Sequence, residues 1–579
     1  MTVIGKTFAV AGVGAMLLAC SPEVELAAQA QSIPGCVQNP DVGDALKAGT
    51  QVPCDFAAAQ TGDPLAEHYR FAWNTFFAVS WPAMTPDQLR GVPDGSKSFT
   101  DAGTPVWDTW KEKRQLYRVV PNPQQQGKYI WSTADPGPFQ TPPTGLDPNS
   151  TVKMCSGETA PTGSVRTVQA SKIDNFADEV DEIGLVALWQ ADTGYPTDES
   201  LIRYQVKFNA DYWSFVRDNG FYASDKLNAF IQQTASESNK VGAVAFPMSS
   251  NSTQNNGAIM TKAGWRMLDE NDDPSKYYTV EMLYYDKEEK GATEASAGDD
   301  EDNEVTCFRQ ASFGLIAIHV VRKTEQFPYF FYSTFEHKVN YPNVYNYANT
   351  KIKNDASVPS ELLPASCQGV NVPTSGTQSS AILPNGCGIE YTRPANPVVG
   401  VPGEKNDPQP YKADRLIPAR PALSQVNMEA DEITSGSVWH NYRLVGVQTV
   451  PVEGKLNDEN PADDQDYYLA NPVVETSQRF QYFTGDFASP RIVNVFKNHD
   501  DNSSVMMGGC MGCHGAGAQG ASRTLDEVKA GSGGTDFSFT LQNVRNEPTE
   551  PTAAESIDSV CQEIKLDTAS DGRSCVPRS

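Results

Sequence analysis

The sequence predicts a mixed α+β fold, in which a large scaffold of antiparallel strands carries a mainly helical C-terminal segment. Alternating apolar and polar residues, the pattern of half-buried strands, recur through the middle of the chain. Residues 64–81 and 469–483 show the spacing of helices. The chain of 579 residues contains 44 Gly and 40 Pro, which indicates many loops. We therefore expect residues 61–480 to form the β-rich scaffold and residues 481–579 to pack on it.

Six stretches carry the strand pattern. The most apolar of them, 313–321, is followed by the aromatic run 329–337, so these two are expected to form a hairpin. The acidic run 286–304 is expected to be an exposed loop. The predicted strands are 201–209, 259–268, 277–285, 313–321, 329–337 and 438–448. Trp107, Trp110 and Trp131 are expected core residues of the Pro- and Gly-rich stretch 85–165.

The chain begins with a pattern typical of export. Lys6 precedes an apolar run too short to span a bilayer, so residues 1–19 are interpreted as a signal peptide. The sequence Leu17-Leu18-Ala19-Cys20-Ser21 resembles the bacterial lipobox, which predicts cleavage before Cys20 and lipidation of its thiol. An ordinary signal cleaved near Ala30 is the alternative. Residues 20–60 are expected to be a tether.

The location follows from the same pattern. Ser21 in place of Asp favours the outer membrane, so we expect the protein in the periplasm or at the cell surface as an outer-membrane-anchored lipoprotein. No other stretch of the sequence is long and apolar enough to span a membrane.

The motif Cys510-Met511-Gly512-Cys513-His514 carries the chemistry of the chain. Two cysteines separated by two residues and followed by histidine form the attachment signature of a c-type haem. The thiols of Cys510 and Cys513 can form thioethers with the two haem vinyl groups, and the imidazole of His514 is a good axial ligand for the iron. The motif therefore predicts one covalent haem c. A thioredoxin-like redox disulfide, half of a zinc site and a chance histidine are the alternatives, but the chain has only six His and no second CxxC.

The remaining cysteines are even in number. Of the 11 Cys, Cys20 is assigned to lipid and Cys510 and Cys513 to haem, so eight remain. In an oxidising compartment they can form up to four disulfides, with 105 possible pairings. Because short loops close most easily, the favoured pairs are Cys36–Cys54, Cys367–Cys387 and Cys561–Cys575, which leaves Cys155–Cys307.

The second axial ligand decides what the haem does. Residues 515–579 contain neither Met nor His, so a distal ligand must come from upstream or the site must be open. His319 and His337, on neighbouring predicted strands, are the candidates, although histidines on apolar strands are also common core residues. The further candidates are His499, Met428 and Met282.

The two ligation states predict different functions. A closed six-coordinate iron would transfer electrons. An open iron, with Glu336 as acid or base beside a distal histidine, would belong to a haem enzyme or sensor acting on peroxide, a diatomic gas or a small oxidisable molecule. Electron transfer is the favoured function.

Several segments, in one order over roughly residues 170–540, resemble exported bacterial monohaem proteins of the cytochrome c family. The resemblance implies a single c-type haem in a large β-rich scaffold, supports Cys510, Cys513 and His514 as the haem-binding residues, and draws attention to His319 and His337. It implies no particular reaction. The matching stretches are 261–266, 314–319 with 323–324, 333–337 with Asn340, 441–444, 469–476, 510–514 and 536–539.

The net charge of −27 limits the partners. It disfavours nucleic acid and direct adhesion to anionic lipid. We expect contact with the membrane only through the lipid anchor, and a redox partner protein that is basic if the charge serves recognition. Solubility alone is the alternative explanation of the charge.

Overall fold

A computed structural model describes most of the scaffold, and all described residues belong to the unit Ile33–Ser579. The described residues are 33–38, 46–56, 64–84, 89–126, 128–141, 153–159, 166–167, 202–238, 244–268, 272–289, 304–328, 330–338, 392–393, 411–412, 421–449, 453–454, 494–497, 504–507, 540–541, 544, 566–568 and 575–577.

One large sheet organises this part of the chain. Its main path runs β1-β6-β7-β9-β10-β13, with β4 and β8 also paired to β9, and β5 paired to β8. All of its pairings are antiparallel except β4–β9 and β5–β8, so the mixed α+β prediction is confirmed at this level. The nine described strands of the sheet are β1 (Lys111–Glu112), β4 (Lys153–Met154), β5 (Arg166–Thr167), β6 (Ile202–Phe208), β7 (Ile259–Met267), β8 (Thr279–Glu289), β9 (Glu304–Arg322), β10 (Phe331–His337) and β13 (Tyr442–Gln448).

Strand β9 is the centre of the sheet. It is 19 residues long, and its first part pairs with β8 while its second part lies between β7 and β10. The predicted hairpin is present, with Phe331 opposite Arg322 and Glu336 opposite Ala317. Apolar residues on both sides of this strand are buried, which explains the apolar run 313–318.

Helix α1 (Pro64–Val79) packs on one face of the sheet. On α1, Phe76 stacks on Phe335 of β10 with ring centres 4.3 Å apart, and Trp73 packs edge-on against the same ring. The helices are α1 (Pro64–Val79), α2 (Lys113–Leu116), α3 (Ala210–Asp218), α4 (Ser224–Ser238) and α5 (Pro421–Thr434), with 3₁₀ helices at Val106–Thr109, Pro274–Lys276 and Val438–Asn441. None of the described helices has the length and apolar character needed to cross a bilayer.

Four smaller sheets complete the described secondary structure. They pair β2 with β3, β11 with β12, β14 and β15 with β16, and β17 with β18. Their bounds are β2 (Val119–Pro121), β3 (Tyr129–Trp131), β11 (Thr392–Arg393), β12 (Tyr411–Lys412), β14 (Glu453–Gly454), β15 (Asn494–Lys497), β16 (Ser504–Met507), β17 (Leu566–Thr568) and β18 (Cys575–Pro577).

The core contains the expected tryptophans, since Trp107, Trp110 and Trp131 are all buried. It also contains residues 33–38 and 46–56, which lie inside the segment expected to be a tether. The disulfide Cys36–Cys54 closes this segment, and the amide of Cys36 donates to the carbonyl of Gln254. From residue 33 onward, the described part of the segment belongs to the packed scaffold.

Two local expectations are corrected. Residues 438–441 form a 3₁₀ turn, not the start of a strand, because this turn places Trp439 in the core, stacked on Tyr278 at 5.4 Å. The acidic run is not entirely loop, because the β8–β9 ladder extends to the pair Glu289 and Glu304.

The predicted helix at 469–483 lies outside the described residues. Within 481–579, the described residues are the strands β15 to β18 and the helical positions 540, 541 and 544. The mainly helical character of that segment stays a prediction.

Candidate functional site

The two faces of the central sheet differ in chemistry. Side chains alternate along a strand, so residues in register across neighbouring strands share a face. The helix face carries Phe335, which contacts α1. The opposite face, here called the His319 face, is rich in polar side chains. It carries Tyr204 of β6, Met260 and Lys262 of β7, His319 of β9, Thr334 and Glu336 of β10, and Arg443 of β13.

His319 lies near the middle of this face. It is half-buried and stands in register with Lys262 on one side and Thr334 on the other. The ammonium of Lys262 lies 4.9 Å from the centre of the Tyr204 ring. His319 is therefore a histidine on a polar sheet surface and is not enclosed by apolar side chains alone.

His337 lies on the other face. Alternation places it with Phe335, and its ring contacts Tyr442, its register partner, at 5.0 Å. Its Nε2 is 2.9 Å from the carbonyl oxygen of Lys276, and Tyr277 stacks on the ring at 4.5 Å. Burial lowers the pKa of His337 to about 4. The geometry is that of a neutral core histidine which donates to a backbone carbonyl, and the structure does not bring it together with His319.

Glu336 forms a buried ion pair. Its Oε1 accepts from Nη2 of Arg443 at 2.8 Å and from Nε at 3.1 Å. Both residues are almost fully buried, at 0% and 4% exposure. Glu336 was expected to act as an acid or base beside a distal ligand. In the structure its carboxylate is paired with the guanidinium of Arg443.

Met260 marks the end of the His319 face. It stands in register with Phe208 and Val321. The hydroxyl of Thr540 donates to its sulfur at 3.6 Å, and Leu541 is fully buried. The chain downstream of the CxxCH motif therefore reaches the scaffold at Met260.

Aromatic rings form a wall beside Met260. Phe208 stacks on Tyr212 at 4.3 Å, and Tyr212 stacks on Phe246 at 4.4 Å. Phe330 follows at 6.0 Å from Phe246. Tyr212 belongs to α3, Phe246 precedes β7 and Phe330 precedes β10, so the wall joins these segments to the end of β6.

The residues predicted to bind haem lie outside the described residues. These are Cys510, Cys513 and His514, and the same holds for Cys20, Cys367, Cys387, Cys561, His499 and the side chain of Cys575. Of the other expected ligands, Met282 is fully buried in β8 and Met428 is 40% exposed on α5.

The two remaining predicted disulfides, Cys36–Cys54 and Cys155–Cys307, are present. A carboxylate oxygen of Glu288 lies within 4.8 Å of both sulfurs of the second pair, and it also accepts from the amide of Ser156 at 2.6 Å. Because both sulfurs are bonded to each other, this group offers no thiolate for a metal ion, and the carboxylate holds the turn after β4.

Sequence reasoning missed a buried polar cluster on the helix face. Lys207 forms an ion pair with Asp108 at 2.6 Å, and the hydroxyl of Tyr278 donates to the same carboxylate. The cluster fastens the 3₁₀ helix Val106–Thr109 to the sheet. The sequence did contain one indication of this cluster: the alternation of β6 places Arg203, Gln205 and Lys207 on one face of the strand.

The sequence also gave no indication that Met260 contacts Thr540, because a methionine in an apolar strand looks like any other core residue.

No family model, curated protein or solved structure matches the chain. The resemblance to exported monohaem proteins of the cytochrome c family therefore stays a hypothesis drawn from the sequence.

Proposed function

We propose that this protein is an exported c-type monohaem protein that transfers single electrons through one covalently bound haem. The observation that carries the proposal is the motif Cys510-Met511-Gly512-Cys513-His514. Cys510 and Cys513 anchor the haem and His514 is its proximal ligand. The haem supplies the one-electron chemistry, and the chain sets its ligands and shields it from water.

Export is supported by the disulfides. The bonds Cys36–Cys54 and Cys155–Cys307 occupy four of the 11 cysteines, so none of these four competes for the predicted thioethers of the CxxC pair. Disulfides are typical of proteins outside the cytosol. We propose a lipid on Cys20 as the membrane anchor and a location in the periplasm or at the cell surface, on the outer membrane.

The acidic surface suggests the partner. With a net charge of −27, the chain attracts basic proteins at long range. We propose a basic redox partner, whose association with this protein weakens as salt screens the attraction.

The test is an optical spectrum of the exported protein, oxidised and dithionite-reduced, together with a haem stain after denaturing electrophoresis. We expect a Soret band and haem that stays with the polypeptide. The variant Cys510→Ser/Cys513→Ser should lose the stain, whereas the control Cys36→Ser/Cys54→Ser should keep it. A wild-type protein without covalent haem would overturn the proposal.

Carbon monoxide then distinguishes the two functions. A low-spin reduced spectrum that carbon monoxide does not change indicates a six-coordinate iron and supports electron transfer. A spectrum that shifts with carbon monoxide indicates an open site, and the protein would then be a haem enzyme or sensor for peroxide, a diatomic gas or a small oxidisable molecule.

A further inference from the structure

We infer that Lys111 is the central residue of a binding site for a small anion, either an inorganic oxyanion or the carboxylate group of an organic acid. The site lies between strand β1 and helix α3. This inference goes beyond the proposed function and does not depend on the haem.

Lys111 is a buried lysine on β1, the strand at one end of the main path of the sheet. It pairs with Phe208 of β6, and only 4% of its surface is exposed. Its Nζ lies 4.7 Å from the centre of the Trp213 ring on α3. The face of the indole attracts the ammonium, but it carries no net charge that would neutralise it.

No carboxylate among the described residues pairs with Lys111. The neighbouring Glu112 accepts from the side-chain amide of Gln205 at 2.7 Å, and Asp218 forms an ion pair with Arg217 at 2.6 Å. A buried charge is costly unless it is paired or stands beside an ion. The described part of the chain therefore holds the ammonium of Lys111 without supplying a negative charge for it.

Two arginines approach Lys111 from different elements. Nη1 of Arg90 donates to the carbonyl of Thr109 at 2.8 Å, only two residues before Lys111. Arg217 follows Trp213 by one helical turn, so it lies on the same side of α3 as the indole that Lys111 contacts.

The loop 134–137 brings a third arginine to the same place. Nη2 of Arg118 donates to the carbonyls of Ala134 and Asp135, both at 3.3 Å. Nε1 of Trp213 donates to the carbonyl of Gly137 at 2.9 Å, and the carboxylate of Asp135 accepts from the amide of Gly137 at 2.7 Å. Backbone carbonyls satisfy the donors of Arg118 but do not neutralise its charge.

The positive charges act together on Lys111. Burial and the charges of Arg90, Arg118 and Arg217 lower its pKa to about 8, so the ammonium is still the main form at neutral pH. An anion beside Lys111 would stabilise this ammonium and offset its repulsion by the arginines. Arg118 and Arg217 are half-buried, which opens the cluster to solvent, and the low exposure of Lys111 restricts the ligand to a small anionic group.

The experiment is isothermal titration calorimetry of the full exported protein at pH 7 in a dilute zwitterionic buffer. Sodium phosphate and sodium acetate are titrated separately, with sodium chloride at equal ionic strength as the comparison. We expect saturable binding of phosphate or of acetate, and the two titrations distinguish the inorganic from the organic type of ligand.

The variant Lys111→Met should weaken this binding at least about tenfold, because it removes the charge and keeps an unbranched side chain of similar length. Unfolding midpoints without anion show whether the variant is folded. It should be at least as stable as the wild type, because it removes a buried charge that lacks a carboxylate partner. Arg118→Gln, at a half-buried position, should also weaken binding. The matched control is Lys128→Met, which replaces an exposed lysine and should bind as the wild type does.

The outcomes decide this inference separately from the haem. Saturable binding that Lys111→Met weakens and Lys128→Met keeps would support it. Absence of saturable phosphate or acetate binding by the wild type would overturn it, and so would equal binding by the wild type and Lys111→Met. The haem stain reports on the proposed function in the same preparations, so either proposal can fail while the other stands.

Discussion

At the scale of the residue, His337 shows how a histidine on an apolar strand becomes a structural group. Its ring lies between Tyr277 and Tyr442, and its Nε2 meets the carbonyl of Lys276. Burial disfavours the imidazolium, which is why the pKa falls from 6.5 to about 4. The imidazole of His337 is therefore harder to protonate in the folded state than in the unfolded chain.

This difference predicts a pH dependence of stability. Above about pH 6.5 the imidazole is neutral in both states, so it contributes no pH dependence there. Between pH 6.5 and about 4 the unfolded state binds the proton first, so the free energy of unfolding should fall, by about 3 kcal/mol once the pH is below 4. Chemical unfolding of the wild type and of His337→Gln at several pH values measures this component as their difference.

The Asp and Glu carboxylates titrate in the wild type and in His337→Gln alike, so their contribution to the pH dependence cancels in the difference between the two proteins. A control, His440→Gln, replaces a histidine whose side chain is 48% exposed, and the His337 component should persist in it. If His337→Gln follows the same pH profile as the wild type, His337 is not a buried neutral group.

At the scale of the element, the pair Glu336–Arg443 joins β10 to β13. The two residues are in register, and both of their charges are buried on the His319 face. Such a pair adds little net stability, but either charge alone in the same place is costly because it keeps its desolvation penalty without its partner.

We therefore expect Arg443→Met to lower the free energy of unfolding by about 3–5 kcal/mol. The double variant Glu336→Gln/Arg443→Met should recover most of this loss, because it removes both charges. Urea unfolding midpoints measure both changes. As a control, Arg70→Met breaks the partly exposed pairs with Glu67 and Glu429 and should cost about 1 kcal/mol or less per pair. Equal losses in Arg443→Met and Arg70→Met would contradict this account.

At the scale of the whole molecule, two disulfides close loops of different length. Cys36 and Cys54 are separated by 18 residues, whereas Cys155 and Cys307 are separated by 152 and join β4 to the central strand β9. A longer closed loop removes more conformational entropy from the unfolded chain.

The loop-entropy relation predicts the order of their effects. Cys155→Ser/Cys307→Ser should destabilise the protein by about 5 kcal/mol, and Cys36→Ser/Cys54→Ser by about 3 kcal/mol. Thermal unfolding of the two double variants compares them directly. A larger loss for the short loop would mean that local packing around Cys36, and not chain entropy, dominates.

The sequence by itself determined the features that are local along the chain. The CxxCH spacing predicts a haem-attachment motif, because two thiols and one imidazole must meet a single macrocycle. An apolar run and the aromatic run after it located the strands of the hairpin at 313–321 and 329–337, and helical spacing located α1, because burial of a strand on both faces and the repeat of a helix each produce a local pattern.

Only the tertiary structure decided the relations between elements. Alternation fixes which residues of one strand share a face, but not which face meets the helices, so His319 and His337 were equivalent until β9 and β10 were in register. The same long-range pairing placed Met260 of β7 in register with Gln448 of β13, through one residue on each of the two strands between them. It also placed Glu336 beside Arg443. These contacts depend on which strands become neighbours, which is decided by burying the sheet as a whole and is not encoded in any single stretch.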